Sequence, residues 1–550
     1  MNTSDPSEAL FFIESELEES PSQSFDRSVA PKDFNEAAYL RAFPDVARAI
    51  RLGERESGLD HFWECGLREG RLSDLRYIKA LVAEDAEGLP VATSDTSNFP
   101  AVGIDALFTA PSGRCLVIGW LNEEPNLPIT AFLLVGGSVV ASTREIARCR
   151  RRDAEAVVFP PPGKLLGFWT VLQVAVPTEP AGPMSIALVA GEEQRTIELQ
   201  AQRVSEDRLR EIALEYMCSA QYYSNPQVEA HIQLEGGLGK RIIDMNVEIS
   251  RKVIASAFTM KFGSPRAKIK ASIVVCLYGK AEFLYLQAAF FSMSPELGDY
   301  EFIYVSNSPE LAEILVKEST LAARIYGTSI TLVILSGNAG FGAANNVAVS
   351  FAQSKRILIV NPDVFPRSSE WARQHSAIVR DRPADQVTMF GVPLYYDDGS
   401  LMHAGMYVVA DTALAVRQNG VEQRSMLRVE HYGKGAPPDT GRFLQSRIVP
   451  AVTGAFMSID RSWFEALGGF SLEYVFGHYE DADLCLKSYQ AGKPVWVHNV
   501  PFWHLEGKGS TRRPVHEGGS TVNRWHFTNT WAALIEDGLE GPAPRRLRLS

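Results

Sequence analysis

The feature that most restricts how this chain can fold is an alternation of apolar runs and helix-patterned segments between residues 271 and 364. Ser272–Leu277 reads as a buried strand and Phe283–Met293 as a helix. Phe302–Val305 and Ile330–Leu335 follow as strands, with Glu310–Ala323 and Gly342–Gln353 as helices. Arg356–Val360 is a fourth strand, ending in Asn361-Pro362-Asp363-Val364. Repeated strand–helix units imply a mostly parallel sheet with ligands at the C-terminal ends of its strands. The fold class expected is therefore α/β, with a Rossmann-like domain spanning residues 268–535.

A second stretch, Thr453 to Ser510, carries the densest chemistry. At its centre is Tyr479-Glu480-Asp481-Ala482-Asp483-Leu484, followed by a helix-like run to Gln490. Three acids in a first helical turn suit the positive end of the helix, which is the bland reading. The flanks favour more: Gly468-Gly469-Phe470 lies upstream, and His504 with Glu506 follows a strand-like run. A loop-borne acid near a histidine is what a metal-assisted transfer site needs.

Upstream of the α/β segment the pattern changes several times. Residues 1–32 are polar and acidic and are expected to be a flexible segment. Residues 33–84 form a small helical module with Tyr39-Leu40, Phe43-Pro44-Asp45-Val46, Gly53, His61-Phe62 and Gly66-x-x-Glu69-Gly70-Arg71. It resembles a short bacterial module attached to surface-polysaccharide and secreted proteins; His61 stands at no ligand spacing and reads as a structural contact. Residues 98–203 show short alternating runs broken by Gly136-Gly137 and Pro160-Pro161-Pro162-Gly163, the pattern of a β-sandwich-like domain. There Trp120 and Trp169 are open to two uses, core packing or a sugar-stacking face. Residues 205–262 read as a helical connector, with Ser205 as a cap and interruptions at Asn225-Pro226 and Gly236-Gly237. Residues 536–550 form a C-terminal tail.

Composition narrows the function. Lys plus Arg number 54 and Asp plus Glu 66, a net charge of −12, which argues against a general nucleic-acid partner. The six cysteines form no C-x-x-C pair, so reduced thiols in a cytosolic protein are the simplest account. No uncharged apolar run long enough for an integral membrane span occurs in the sequence. The expected location is cytoplasmic, peripheral to the inner face of the membrane at most.

The ordered set Ser272-Ile273-Val274-Val275, Val305-Ser306-Asn307-Ser308, Gly337-to-Asn346, Asn361-Pro362-Asp363, Met402-His403-Ala404-Gly405, Thr453-Gly454-Ala455, Gly468-Gly469-Phe470, Glu480-to-Leu484 and His504-x-Glu506 resembles family 2 glycosyltransferases of the GT-A fold. It is similar to their bacterial O-antigen and surface-glycan branch, which includes rhamnosyltransferases. The resemblance covers residues 271 to 533. It implies an inverting hexosyl- or rhamnosyltransferase that uses a nucleotide-diphosphate sugar and a glycan or glycoconjugate acceptor, alongside other glycan-assembly proteins as partners. Asp481 matches the catalytic base, and Glu480 would orient the acceptor or Asp481. Asp363 and His504 match a site for a divalent cation, Mg²⁺ or Mn²⁺. Asn361 replaces the first acid of the family's D-x-D motif. Ser306, Asn307, Asn338, Gly340, Phe341, Asn345 and Asn361 match donor or nucleotide positions; the Asp usual beside Asn307 is absent. Asp483 reads as a helix-start residue. The glycine-rich segment could equally be a tight turn.

Two rivals remain at this point. A dinucleotide-binding oxidoreductase would use Gly337, Gly340 and Gly342, but their spacing is G-x-x-G-x-G, not G-x-G-x-x-G. A non-catalytic glycan-binding or assembly protein with a degenerate transferase domain is the other; the presence of Asp363, Asp481 and His504 argues against it.

Overall fold

Strand pairing ties distant parts of the chain together, as a computed structural model of the protein shows. It describes residues 44–51, 55–61, 99–122, 128–174, 183–219, 226–381, 389–417, 420–510, 513 and 515–540. The chain divides into two units, Met1–Leu75 and Arg76–Ser550. In the first, helices Pro44–Arg51 and Gly58–His61 are described, with Val46 and His61 buried. The 1–32 segment, most of the 33–84 module and residues 541–550 lie outside the described residues.

The second unit begins with two antiparallel-rich sheets facing each other. One has five strands and contains Val102–Thr109, Arg114–Leu121 and Gly167–Gln173; the other has four and contains Ile129–Val135 and Met184–Ala190. Leu107, Val117, Leu133, Phe168, Ile186 and Leu188 fill the space between them, which accounts for the alternation in the sequence. Trp169 is fully buried and its Nε1–H donates to Oε1 of Gln233 at 2.8 Å, so it packs in the core. Trp120 lies against Gly103, where even a Cβ would collide with its indole.

The α/β part is built on a nine-stranded sheet. Its strands are β1 (Phe258–Phe262), β2 (Ala271–Leu277), β3 (Tyr300–Ser306), β4 (Ile330–Ile334), β5 (Arg356–Val360), β6 (Met389–Gly391), β9 (Arg447–Val449), β10 (Phe456–Asp460) and β11 (Val495–Val497); a hairpin of β7 (Met406–Arg417) and β8 (Gly420–His431) interrupts the series. The sheet order is β1-β4-β3-β2-β5-β10-β6-β11-β9. The centre is parallel, whereas β1, β10 and β9 run antiparallel to their neighbours. The parallel strands β2 and β3 are buried along their whole length, as a sheet covered on both faces requires. β1 lies in the span expected to be connector, so the sheet starts before residue 268.

The connector is three helices, α1 (Glu206–Ser219), α2 (Pro226–Glu235) and α3 (Leu238–Ile254). Ser205 Oγ accepts the N–H of Arg208 at 3.2 Å, the cap expected from the sequence. Behind the sheet run α4 (Glu282–Phe291) and α5 (Ala312–Tyr326); α6 (Phe341–Ser350), α7 (Glu480–Gln490) and the long α8 (Val515–Glu540) complete the helices used below. Leu209, Leu214, Met217, Ile242 and Ile249 of the connector share one apolar core with Ala343, Ala348, Val522, Phe527 and Trp531. The connector is thus part of the α/β core and not a linker beside it. It also grips the sandwich: Arg114 pairs with Glu248 at 2.7 Å, and Arg241 with Glu145.

Candidate active site

The strand ends converge on a cavity of about 730 Å³, within the range that holds a small-molecule ligand. At the end of β5 the chain turns through Asn361 into a short strand, Val364–Pro366. That strand pairs antiparallel with β12 (Phe502–His504), Val364 opposite His504. This register sets Asp363 beside His504, with Oδ1 3.4 Å from Nε2. Asp363 Oδ2 accepts the N–H of Gly509 at 2.8 Å. A Cβ at Gly509 would stand 2.7 Å from Asp363 Cγ, so the strap closes on the carboxylate because the residue is glycine. Among the described residues no group of three or more His, Cys, Asp or Glu is placed to hold a metal ion. One carboxylate and one imidazole facing a cavity nevertheless fit a hard divalent cation that takes its remaining ligands from substrate phosphates and water.

The opposite wall is the loop into α7. Phe476, His478 and Tyr479 have φ of 60°, 81° and 74°, a left-handed backbone that costs a non-glycine residue roughly 1–3 kcal/mol each. The loop is held from outside. Asn523 of α8, fully buried, donates Nδ2–H to the carbonyls of Val475, Gly477 and His478 at 3.0, 2.6 and 3.1 Å, and its Oδ1 accepts the Val475 N–H at 2.6 Å. Asn246 of α3 donates to the carbonyls of Leu472 and Tyr474. Arg210, buried, donates to Asn246 Oδ1 at 2.6 Å and stacks over Phe476 with its guanidinium 4.5 Å from the ring centre.

This framework aims the acid cluster. Asp481 Oδ2 accepts the Gly454 N–H and Oδ1 the Ala482 N–H, both at 2.8 Å, and the residue lines the cavity. Two lone-pair positions remain on the carboxylate for a ligand. Glu480 is buried, and its Oε2 has no hydrogen-bond partner. Burial pushes its carboxyl well above the usual carboxylate range, and neighbouring Asp481 adds to the shift, so the buried site favours the protonated form. Asp483 points away: its Oδ1 accepts the Trp531 indole N–H at 3.0 Å and its Oδ2 pairs with Lys487 at 2.6 Å. It anchors α7 to α8, consistent with its reading as a helix-start residue.

The cavity gathers Asn307, Asn338, Phe341, Asn361, Asp363, Glu480, Asp481 and His504 from the expected set. Three others do not line it. Ser306 is buried, its Oγ bound to the N–H and carbonyl of Ser308. Asn345 is buried on the inner side of α6 and donates to the Phe341 carbonyl. Gly340, at φ 86°, makes the turn into α6, where an added Cβ would press on the Phe476 backbone. These three stand behind the lining of the cavity. Asn307 spends its amide on the same wall, accepting from Ala339 N–H at 3.1 Å and donating to the Gly340 carbonyl at 3.2 Å.

Several lining residues carry no sequence signal. His431 at the end of β8 lines the cavity, as do Arg513, just before α8, and His516 in its first turn. Arg513 pairs with Glu211 at 2.9 Å and donates its backbone N–H to His516 Nδ1 at 2.8 Å.

No family model matches the chain. It is 29% identical over 214 residues to the uncharacterized protein y4gI of Sinorhizobium fredii (strain NBRC 101917 / NGR234); the match takes in 38% of this chain and spans only 21% of that protein's length. Among solved structures, GalNAc-T7 with UDP, GalNAc and Mn²⁺ is similar at 14% identity and a TM-score of 0.35, over 49% of this chain and 50% of that one. The mannosyltransferase PcManGT from Pyrobaculum calidifontis, in complex with GDP-Man and Mn²⁺, is similar at 14% identity and a TM-score of 0.29, over 60% of this chain and 89% of that one. Scores this low establish neither a common fold nor a common activity, and the reading below rests on the site.

Proposed function

We propose that the chain is an inverting glycosyltransferase that moves a sugar from a nucleotide-diphosphate donor to a hydroxyl of a glycan or glycoconjugate. The observation that carries this is the meeting of Asp481 and Glu480 with the Asp363–His504 pair around one cavity. The order of sequence motifs supports it independently. Asp481 would take the proton of the acceptor hydroxyl as its oxygen bonds to the anomeric carbon. The bond to the diphosphate oxygen breaks on the opposite face, its electron pair leaves with the nucleotide, and the configuration inverts. Glu480, whose burial favours the protonated form, is the poorer base of the two and would orient the acceptor or Asp481 by donating a hydrogen bond. Asp363 and His504 would hold a divalent cation, Mg²⁺ or Mn²⁺, which when bound supplies positive charge to the diphosphate leaving group. Asn338, Phe341 and Asn361 line the cavity where the donor would lie. The resemblance in sequence further suggests a hexosyl or rhamnosyl donor, a bacterial surface glycan such as O-antigen as acceptor, other glycan-assembly proteins as partners, and a cytoplasmic setting. No described helix is long and apolar enough to cross a membrane.

The test is a panel of nucleotide sugars with Mn²⁺ or Mg²⁺, read by thermal shift of the full chain and by release of nucleoside diphosphate. The proposal expects at least one donor to stabilise the protein and to be consumed. Glycan binding without consumption of any donor would favour the non-catalytic reading instead.

A further inference from the structure

A chain of hydrogen bonds behind the acid cluster fixes the chemistry of one more cavity group. Gly405, at the end of the Met402-His403-Ala404-Gly405 turn, donates its N–H to Nε2 of His403 at 3.1 Å. That nitrogen therefore carries a lone pair, and a neutral imidazole must keep its proton on Nδ1. His403 is fully buried, and burial holds it well below the usual histidine range, with His431 and His504 pushing the same way. Its Nδ1 faces Nδ1 of His431 at 3.3 Å, the rings edge to face with centroids 4.8 Å apart. A proton sits on the His403 side of that contact, so His431 Nδ1 accepts. The proton of His431 is then confined to Nε2, on the ring edge away from His403.

His431 lines the same cavity as Asp481 and Glu506, and the charge of both carboxylates reaches its ring. Its proton affinity is depressed chiefly by burial, with Asp481 the first group opposing that. We propose that His431 presents its Nε2–H as a fixed hydrogen-bond donor that holds an acceptor sugar hydroxyl beside Asp481. This rests on Asp481 being the base of a transferase. The two side chains then divide the work. Asp481 accepts from the acceptor, and His431 donates to it and cannot compete as a base, because its other nitrogen is spent on His403. A hydroxyl offers one donor and two acceptor positions, so it can satisfy both partners at once. The MHAG turn acquires a role in this arrangement, since His403 is the residue that sets the tautomer.

Two measurements test it. The first needs no substrate: the full chain with ¹⁵N-labelled histidine is examined near neutral pH, and the signals are assigned with His431→Phe and His403→Phe. His431 is expected as the Nε2–H tautomer and His403 as the Nδ1–H tautomer; His431 protonated on Nδ1 overturns the proposal. The second uses the donor and acceptor that turn over in the panel above. His431→Phe keeps a ring but no N–H, and should raise the acceptor KM about tenfold, the cost of one lost hydrogen bond to a ligand. His431→Gln, which restores an N–H, should recover most of that. Affinity for UDP or GDP with Mn²⁺, measured by calorimetry, should match wild type in both variants. An unchanged acceptor KM in His431→Phe, or an equal loss of nucleotide affinity, overturns the proposal. Absence of turnover by the wild-type chain would refute the transferase reading, while the tautomer measurement still decides whether His431 is the fixed donor.

Discussion

Replacing Asn523 by Ala removes the clamp on the loop before the acid cluster. The side chain makes four hydrogen bonds to that loop and is fully buried. Its loss strands the N–H of Val475 in the interior, and one buried unsatisfied donor costs about 1–3 kcal/mol. Three carbonyls lose a partner as well, so a total near 3 kcal/mol is a fair estimate. Part of that is offset when the loop relaxes, because Phe476, His478 and Tyr479 give up a left-handed backbone. The variant therefore has a specific way to respond: the loop opens while the core of the unit stays folded. At about 1.4 kcal/mol per factor of ten, opening becomes on the order of 10² times more frequent. Native-state hydrogen exchange of the peptides covering residues 475–481, read by mass spectrometry against the central strands β2 and β3, measures this directly. Asn523→Asp keeps the size and the acceptor but has no N–H for the three carbonyls, and should exchange at least as fast. Unchanged exchange in the loop would refute the clamp. An equal rise across loop and central strands would show that Asn523 holds the whole core and not the loop.

The remaining predictions concern charge, metal and boundaries. Glu480 has a folded pKa raised above its unfolded value, so the stability it permits is full below the unfolded pKa near 4.5 and is lost as pH rises toward the folded one. Glu480→Gln should therefore gain thermal stability relative to wild type as pH climbs from about 4.5 through neutrality; parallel melting curves would show that Glu480 is not held protonated. Asp363→Ala should weaken nucleotide binding in the presence of Mn²⁺ and reduce its dependence on the metal, read by calorimetry; unchanged affinity and metal dependence would remove Asp363 from the site. A fragment starting at residue 268 loses β1 and α1–α3, and with them Leu209, Leu214, Met217, Ile242 and Ile249, each worth about 1.5–3 kcal/mol of burial. It should be insoluble or bind a hydrophobic dye, whereas a fragment starting at residue 98 should be soluble; a well-folded fragment from 268 would contradict the shared core.

Local patterns in the chain stood close to the folded result wherever the determinant was local. Arg356–Val360 is a strand with the boundaries read from its apolar run, and α7 opens with the three acids in its first turn. Position along the chain did not reveal side-chain direction. Ser306 and Asn345 match the family by position, yet each faces the core, because a strand end or a helix face offers two sides and a motif does not say which one. Long-range pairing was also hidden. That β10 inserts antiparallel between β5 and β6, or that β1 joins the sheet from the connector span, depends on partners far away in sequence. His431, Asn246 and Asn523 gave no signal, being single polar residues whose meaning comes from what they meet across the fold. Asp363 and His504 were expected to meet; the register of Val364 opposite His504 is the physical reason they do.

The most direct test of the central claim is Asp481→Asn, with turnover and nucleotide affinity measured on the same preparation. The substitution keeps the shape and removes the proton acceptor, at the cost of about one hydrogen bond, since an amide cannot accept from both Gly454 and Ala482 as the carboxylate does. If Asp481 is the base, transfer should fall by about 10²-fold or more, while calorimetry with nucleotide and Mn²⁺ shows donor-site affinity close to wild type. Near-wild-type turnover in a folded Asp481→Asn protein would contradict the mechanism.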